Sequence, residues 1–199
     1  MRQRFVVGRS GWGRGAGLGF AALCLGFWSL GLWGWGGPAA QARVFFSIEE
    51  GLQQAFPEAT RFSSRTFIPT PEQQAALEKR AAAAFSRQLL KVWMAHAGER
   101  LLGYASIDIH TVRTLPEAVL IALTPQGSVR TVIILAFHEP SEYQPPGRWL
   151  ELFQEKRLAP TLAFGRDIAG ITGSTLSSRA ITSSVRRALA VYEVFLRGS

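Results

Sequence analysis

Regular alternation of apolar and polar residues in the middle of the chain limits its possible folds most strongly. Between residues 101 and 112 the alternation has a period of two, which is typical of a strand with two different faces. Two short apolar runs follow, and the Pro125-Gln126-Gly127 turn between them favours a hairpin. We therefore predict an antiparallel sheet of about four strands. These strands are expected at Leu90–Met94, Leu101–Val112, Ala118–Leu123 and Val129–Phe137.

Two helix starts precede this sheet. Ser47-Ile48-Glu49-Glu50 has the pattern of a capping box and predicts a short helix that ends near Phe56. Thr70-Pro71-Glu72-Gln73 combines a capping pattern with a proline at the first helical position, and it predicts a second helix that ends near Phe85. The segment from Arg61 to Ile68, between the two helices, is expected to be extended.

Helices are also predicted after the sheet. Arg148–Gln154 is expected to be a short helix with Trp149 in the core. The last helix carries an apolar stripe at helical spacing, with arginines on the opposite face. Strands and helices occupy separate runs, so the predicted fold class is α+β. The stripe consists of Ile181, Val185, Ala188, Leu189, Tyr192, Phe195 and Leu196.

The first 42 residues differ in composition from the rest of the chain. They contain four arginines and no acidic residue, and an uncharged stretch runs from Gly15 to Ala42. The apolar run Leu18–Trp35 and the closing Ala40-Gln41-Ala42 predict either a cleaved signal peptide or a retained membrane anchor. Both alternatives place residues 43–199 outside the cytoplasm. The single cysteine, Cys24, lies in the first segment, so the exported domain has neither a thiol nor a disulfide.

The overall charge does not indicate a nucleic-acid-binding protein. The formal net charge of the chain is +8, but residues 43–199 alone contain 18 basic and 14 acidic side chains. That remainder contains no long Lys/Arg run, so we expect no nucleic-acid partner. His96, His110 and His138 lack the spacing of metal ligands, and no metal site is predicted.

A hydroxyl-rich turn, Thr172-Gly173-Ser174-Thr175-Leu176-Ser177-Ser178, opens the last helix. A helix start offers unpaired backbone N–H groups and the positive end of the helix dipole, which together favour a phosphate group. Gly173 allows the chain to turn there. The backbone N–H groups of Leu176, Ser177 and Ser178 are the expected phosphate donors. An ordinary capped helix start is the alternative interpretation.

This turn resembles the flavinylation signature of the FMN-binding domain family, which includes the extracytoplasmic FMN subunits of the sodium-pumping NADH:quinone reductase and of the Rnf complex. The family pattern is roughly Asp-x-x-Ser/Thr-Gly-Ala-Thr-x-Ser/Thr. This chain has Ala169 at the aspartate position and Ser174 at the alanine position. In the family, a transferase joins the phosphate of FMN to the second threonine of the pattern, which here is Thr175.

The resemblance implies an extracytoplasmic electron carrier, associated with the membrane and bearing one FMN on Thr175. Residues 43–199 would form the FMN-binding domain. The implied partners are a flavin transferase and membrane-bound or extracytoplasmic redox proteins. A loop around Glu139 and Pro140 is expected to line the flavin ring, or else to be a solvent-exposed turn. No catalytic acid or base is assigned, because the flavin supplies the chemistry. The cofactor-binding residues are Thr172, Gly173, Ser174, Thr175, Leu176, Ser177, Ser178 and Glu139.

Two other functions stay open at this point. A binding or assembly module of the same fold, without flavin, is suggested by Ala169. A hydrolase that uses a serine of the turn is a third hypothesis, although no general base lies nearby in the sequence. Asp108 and His110 share a strand face that suggests acid–base chemistry or, as we expect, a solvated polar surface. The arginines near the turn are expected on the wet side of the last helix or, alternatively, to attract an anion. They are Arg166, Arg179, Arg186 and Arg187.

Overall fold

The computed structural model describes residues 43–85 and 89–198, and the predicted export segment, residues 1–42, lies outside them. The fold class is α+β, as predicted. The strands of the described part are β1 (Arg43–Val44), β2 (Arg61–Phe67), β3 (Leu90–Ala97), β4 (Arg100–Thr111), β5 (Pro116–Leu123) and β6 (Val129–Phe137). They form one antiparallel sheet with the strand order β1-β6-β5-β4-β3-β2.

The prediction of about four strands was wrong, because the sheet has six. The four predicted strands correspond to β3–β6, and each edge of the sheet gains one strand. At one edge β2 pairs with β3 along all seven of its residues. At the other edge the two residues of β1 pair with Ala136 and Phe137 of β6. The sequence of β2, Arg-Phe-Ser-Ser-Arg-Thr-Phe, predicted an extended chain. It lacks the alternation of apolar and polar residues that would have assigned it to a sheet.

Helices cover both faces of the sheet. They are α1 (Ile48–Ala55), α2 (Pro71–Ala81), α3 (Gly147–Leu150) and α4 (Thr175–Val191). One core layer packs β4, β5 and β6 against α1 around Phe56, Leu120 and Leu135. A larger layer on the opposite face packs α2, α3 and α4 against the sheet around Leu77, Trp149 and other buried residues. Short 3-10 turns occupy Ser141–Tyr143 and Glu151–Phe153, and α4 continues into a π-helical segment at Tyr192–Leu196.

Both predicted capping boxes are confirmed. The Ser47 hydroxyl accepts from the N–H of Glu50 at 3.2 Å, and the Glu50 carboxylate accepts from the N–H of Ser47 at 2.8 Å. Thr70 and Gln73 make the same reciprocal pair at 3.3 and 2.9 Å. Each box satisfies N–H groups that the first helical turn leaves free, and this fixes where α1 and α2 begin.

Helix α2 ends at Ala81, four residues before the predicted end near Phe85. The guanidinium group of Arg186 on α4 donates to the carbonyl oxygens of Ala81 and Arg80, at 2.5 and 3.3 Å. Ala82 then adopts a left-handed conformation with φ of 49°. Arg186 therefore binds the free carbonyls at the end of α2, and the prediction that it lies on the wet side of α4 was wrong.

Trp149 lies in the core, as predicted, and is 4% exposed. Its indole N–H donates to the carbonyl oxygen of Ala169 at 2.7 Å. This bond ties α3 to the segment that leads into the hydroxyl-rich turn. Within the described residues, no helix combines the length and apolar character needed to cross a bilayer.

Candidate functional site

The hydroxyl-rich turn, Thr172–Ser178, lies where the chain enters α4. Helix α4 begins at Thr175, and Ser174 is its N-cap residue. Gly173 has φ of +92°, a conformation that favours glycine, so the turn depends on this residue. Thr172 and Gly173 are exposed and Thr175 is half-buried, whereas Ser177 and Ser178 are fully buried.

The backbone donors of this helix start are fewer than predicted. The N–H of Ser178 donates to the carbonyl oxygen of Ser174 at 2.9 Å, which is the first bond of the helix. The N–H groups of Leu176 and Ser177 lie in the first turn of α4, where the helix itself provides no carbonyl acceptor for them. The side chain of Ser174 does not cap them. Two of the three predicted N–H donors thus point out of the helix start without an intrahelical acceptor.

The hydroxyl groups of the turn fall into two sets. The Thr175 hydroxyl donates to the Ile171 carbonyl at 3.1 Å, and the Ser177 hydroxyl donates to the Tyr143 carbonyl at 2.7 Å. The hydroxyls of Ser174 and Ser178 are buried and have no hydrogen-bond partner among the described residues. A buried hydroxyl without a partner costs about 1–3 kcal/mol. The turn therefore holds polar groups whose bonding capacity the described residues do not use.

A groove of about 130 Å³ opens at this turn. Typical small-molecule pockets enclose about 300–1,000 Å³, so this groove takes a small group such as a phosphate and not a three-ring flavin. Arg113 is the charged side chain that lines it. The lining residues are Val112, Arg113, Tyr143, Gly173, Ser174, Thr175, Leu176 and Ser177.

Arg113 reaches the groove from the loop between β4 and β5. Its guanidinium carbon lies 4.5 Å from the centre of the Tyr143 ring, within cation–π distance. Sequence reasoning did not assign either residue of this pair to the site. The only available signal was the position of Arg113 at the end of a predicted strand, which does not indicate what the loop faces.

Glu139 holds that loop in place. One oxygen of its buried carboxylate accepts from the backbone N–H groups of Arg113, Thr114 and Leu115, at 3.0, 2.7 and 2.9 Å. The hydrogen bond from Thr114, supported by those from Leu115 and Arg113, lowers the pKa of Glu139 despite its burial. Among the described residues Glu139 does not line the groove; it fixes the backbone from which Arg113 extends.

A second polar cluster lies beneath α4, further along the helix. His110 hydrogen-bonds Asp108 through Nδ1 at 3.1 Å and Glu117 through Nε2 at 2.9 Å. Asp108 also accepts from Arg187 and from the hydroxyl of Ser184, each at 2.5 Å. The expectation that Asp108 and His110 form a solvated polar face was wrong, because α4 covers that face of β4. Arg187 likewise belongs to this cluster and not to a wet helix face.

The protonation of the cluster makes it a poor catalytic centre. Burial opposes the charge on His110, but the hydrogen bonds to Asp108 and Glu117 outweigh it and raise the pKa of His110 to about 9. The imidazole is therefore protonated at neutral pH and is no general base. Ser184 is fully buried, and its short hydrogen bond goes to Asp108. Both ring nitrogens of His110 are hydrogen-bonded to carboxylates, so neither is available to bind a metal ion.

No protein-family model matches the sequence, and no curated protein matches it either. The interpretation of the hydroxyl-rich turn therefore depends on its own residues. An orphaned buried hydroxyl at Ser174, the free N–H groups of Leu176 and Ser177, and the cation of Arg113 suit the phosphate of a flavin nucleotide. The half-buried Thr175 hydroxyl lines the same groove.

Proposed function

We propose that this protein is an extracytoplasmic electron carrier with one FMN joined through its phosphate to Thr175. The observation that carries the proposal is the juxtaposition in one groove of the Thr175 hydroxyl, a helix start with free N–H groups, and the guanidinium group of Arg113. The resemblance of the hydroxyl residues around Gly173 to the flavinylation signature also supports the proposal.

The attachment needs only one reactive group from this chain. The Thr175 oxygen attacks the phosphoryl group of a flavin nucleotide that is activated as a pyrophosphate. The P–O bond to threonine forms as the pyrophosphate P–O bond breaks, the leaving phosphate keeps the bridging oxygen, and the threonine proton passes to solvent, so the chain gains the mass of FMN minus water. A flavin transferase performs this step. The phosphodiester keeps one negative charge next to the positive end of α4, an arrangement worth about 0.3–1 kcal/mol at an exposed site. The bound flavin supplies the redox chemistry.

The size of the groove agrees with a carrier that exchanges electrons with other proteins. Since the groove takes a phosphate but no ring system, the isoalloxazine ring would lie outside it, accessible to partners. Leu176, which is half exposed next to Thr175, offers an apolar contact at that position. The proposed partners are membrane-bound or extracytoplasmic redox proteins, and residues 1–42 would bring the protein to or across the membrane.

A non-flavinylated binding or assembly module of the same fold is the second candidate. The family pattern has an aspartate where this chain has Ala169. The nearest acid, Asp167, is bonded to the hydroxyl of Thr161 at 2.9 Å, so its carboxylate is already engaged. A transferase that requires the aspartate would leave Thr175 bare.

Co-expression with a flavin transferase, followed by intact mass and peptide mapping, separates the two candidates. The carrier gains the mass of FMN minus water, and the adduct maps to Thr175. Thr175→Ala abolishes the gain. Thr66→Ala, which removes an exposed threonine of β2 outside the turn, keeps the gain and serves as the matched control. Colourless protein of unchanged mass, or an adduct on another side chain, would overturn the proposal.

A further inference from the structure

We infer that the groove at the start of α4 is a phosphoryl-binding subsite in which Arg113 is the cationic partner of the flavin phosphate. This inference deepens the proposed function and rests on it for the identity of the ligand. Arg113 is not part of the signature and lies in the loop between β4 and β5, so it adds a binding residue that the motif does not contain.

The helix start supplies the first half of the subsite. Helix α4 has 17 residues, and the positive end of its dipole faces the groove. The hydroxyl of Ser174 lines that groove, is almost completely buried, and has no partner among the described residues. An unsatisfied hydroxyl of this kind gains a hydrogen bond when an oxyanion enters, whereas an apolar ligand would leave it unpaired.

Arg113 supplies the second half, and its loop is held in place before any ligand arrives. Three consecutive backbone N–H groups of this loop bind the carboxylate of Glu139. The guanidinium group lies over the Tyr143 ring, and the carbonyl of Tyr143 accepts from the Ser177 hydroxyl on α4. These contacts connect the arginine to the helix start, so the entropy lost when an anion is bound is reduced.

The charge of the groove points to an anion as its ligand. Among the residues that line it, Arg113 is the one charged side chain and no carboxylate is present. The Glu139 carboxylate is turned to the loop backbone. A phosphate is favoured over other anions because the Thr175 hydroxyl, to which the phosphoryl group would be esterified, lines the same space.

The test measures non-covalent binding on the full-length chain carrying Thr175→Val, which cannot be esterified. Fluorescence anisotropy compares FMN with riboflavin, which lacks the phosphate. We expect FMN to bind about fivefold more tightly, the upper range for one exposed ion pair. Arg113→Gln removes this difference without changing riboflavin affinity, and Arg113→Lys keeps part of it. Arg61→Gln, an exposed arginine of β2 outside the groove, keeps all of it.

Each outcome decides a different question. Equal affinities for FMN and riboflavin, or an FMN preference that survives Arg113→Gln, would overturn the subsite even if flavin is found on Thr175 of the natural chain. An FMN preference that depends on Arg113, in a protein that never acquires covalent flavin, would support the subsite and reject the carrier. Inorganic phosphate should compete with FMN and leave riboflavin binding unchanged; competition with both would also count against the subsite.

Discussion

Two parts of α4 use serine in opposite ways. At the helix start, the Ser174 and Ser178 hydroxyls are buried without a partner among the described residues. In the third turn, the equally buried Ser184 hydroxyl has several: it donates to Asp108 and lies 3.0 Å from the Ala180 carbonyl and 3.1 Å from Arg187. The burial is the same, but the hydrogen bonding differs.

This difference separates a candidate ligand site from a structural cluster. Where polar groups are already bonded to one another, as His110, Ser184 and Arg187 are to Asp108, a ligand would have to break existing bonds before it could form its own. Where donors remain unsatisfied at a positively polarised helix end, an incoming anion gains bonds at no such cost. Titratable residues are concentrated in the structural cluster, so their density alone would have pointed to that cluster and not to the helix start.

The largest effect that would test this comparison is the loss of Asp108. Asp108→Asn removes the charge that faces both His110 and Arg187, and it leaves two cations without their shared partner. These pairs are half-buried, so we expect a cost between the roughly 1 kcal/mol of an exposed pair and the roughly 3–5 kcal/mol of a fully buried one. Urea unfolding monitored by circular dichroism should show that loss, while Glu58→Gln, which breaks the exposed pair with Arg130, should cost less than about 1 kcal/mol. A small effect at Asp108 would mean that the cluster is not structural.

The second prediction concerns pH. The pKa of His110 in the folded protein, about 9, lies above its unfolded value, so the stabilisation is complete below about pH 6.5 and is lost as the pH rises through 9. Burial raises the pKa of Glu117, against the hydrogen bond from His110, and this too favours the folded state at lower pH. Burial of Asp108 is outweighed by hydrogen bonds from His110, Arg187 and Ser184 and by the charge of Arg187, so its pKa is lowered. That contribution is present above the ordinary pKa range of an aspartate and is lost as the pH falls below it.

Urea midpoints measured between pH 5.5 and 10 should therefore fall on the alkaline side. His110→Gln should be less stable at pH 6 and should show a flatter alkaline decline than the natural chain. If both proteins lose stability equally between pH 7 and 10, the decline belongs to other groups, and the cluster does not depend on the protonated imidazole.

The third-largest expected effect on the free energy of unfolding is that of Ser184→Ala. The substitution removes one donor from Asp108 and creates little space, so we expect a cost of about 1–3 kcal/mol. Ser183→Ala is the matched control, because the Ser183 hydroxyl forms an exposed hydrogen bond, donated to the Arg179 carbonyl of the same helix. That control should change the free energy of unfolding by less than about 0.5 kcal/mol.

Local signals in the sequence predicted the parts of the fold that depend on neighbouring residues. Both capping boxes, the start of α4 within the hydroxyl-rich turn and the strands β3–β6 follow from patterns within a few residues. What the sequence did not reveal depends on distant partners. The end of α2 is set by Arg186, more than 100 residues away, and nothing in the alanine-rich stretch itself marks a stop.

The candidate site divides in the same way. Thr175 and its neighbours were recognisable because helix-start chemistry is local. Arg113 was not, because its place in the groove depends on the loop that Glu139 fixes and on how α4 packs on the sheet. The polar face of β4 was misinterpreted for a related reason: a period of two assigns residues to opposite faces but does not indicate which face a helix covers.

The smallest expected effect is also the most specific for the helix start. Replacing an N-cap serine by alanine usually costs about 0.5–2 kcal/mol, because a capping hydrogen bond is lost. Ser174 makes no such bond, and its hydroxyl is buried without a partner among the described residues. We therefore expect Ser174→Ala to change the free energy of unfolding of the flavin-free protein by less than about 0.5 kcal/mol, or to raise it slightly. Equilibrium urea unfolding in phosphate-free buffer measures this. A loss above about 1 kcal/mol would mean that the hydroxyl is already satisfied within the protein, and that the contrast with Ser184 does not exist.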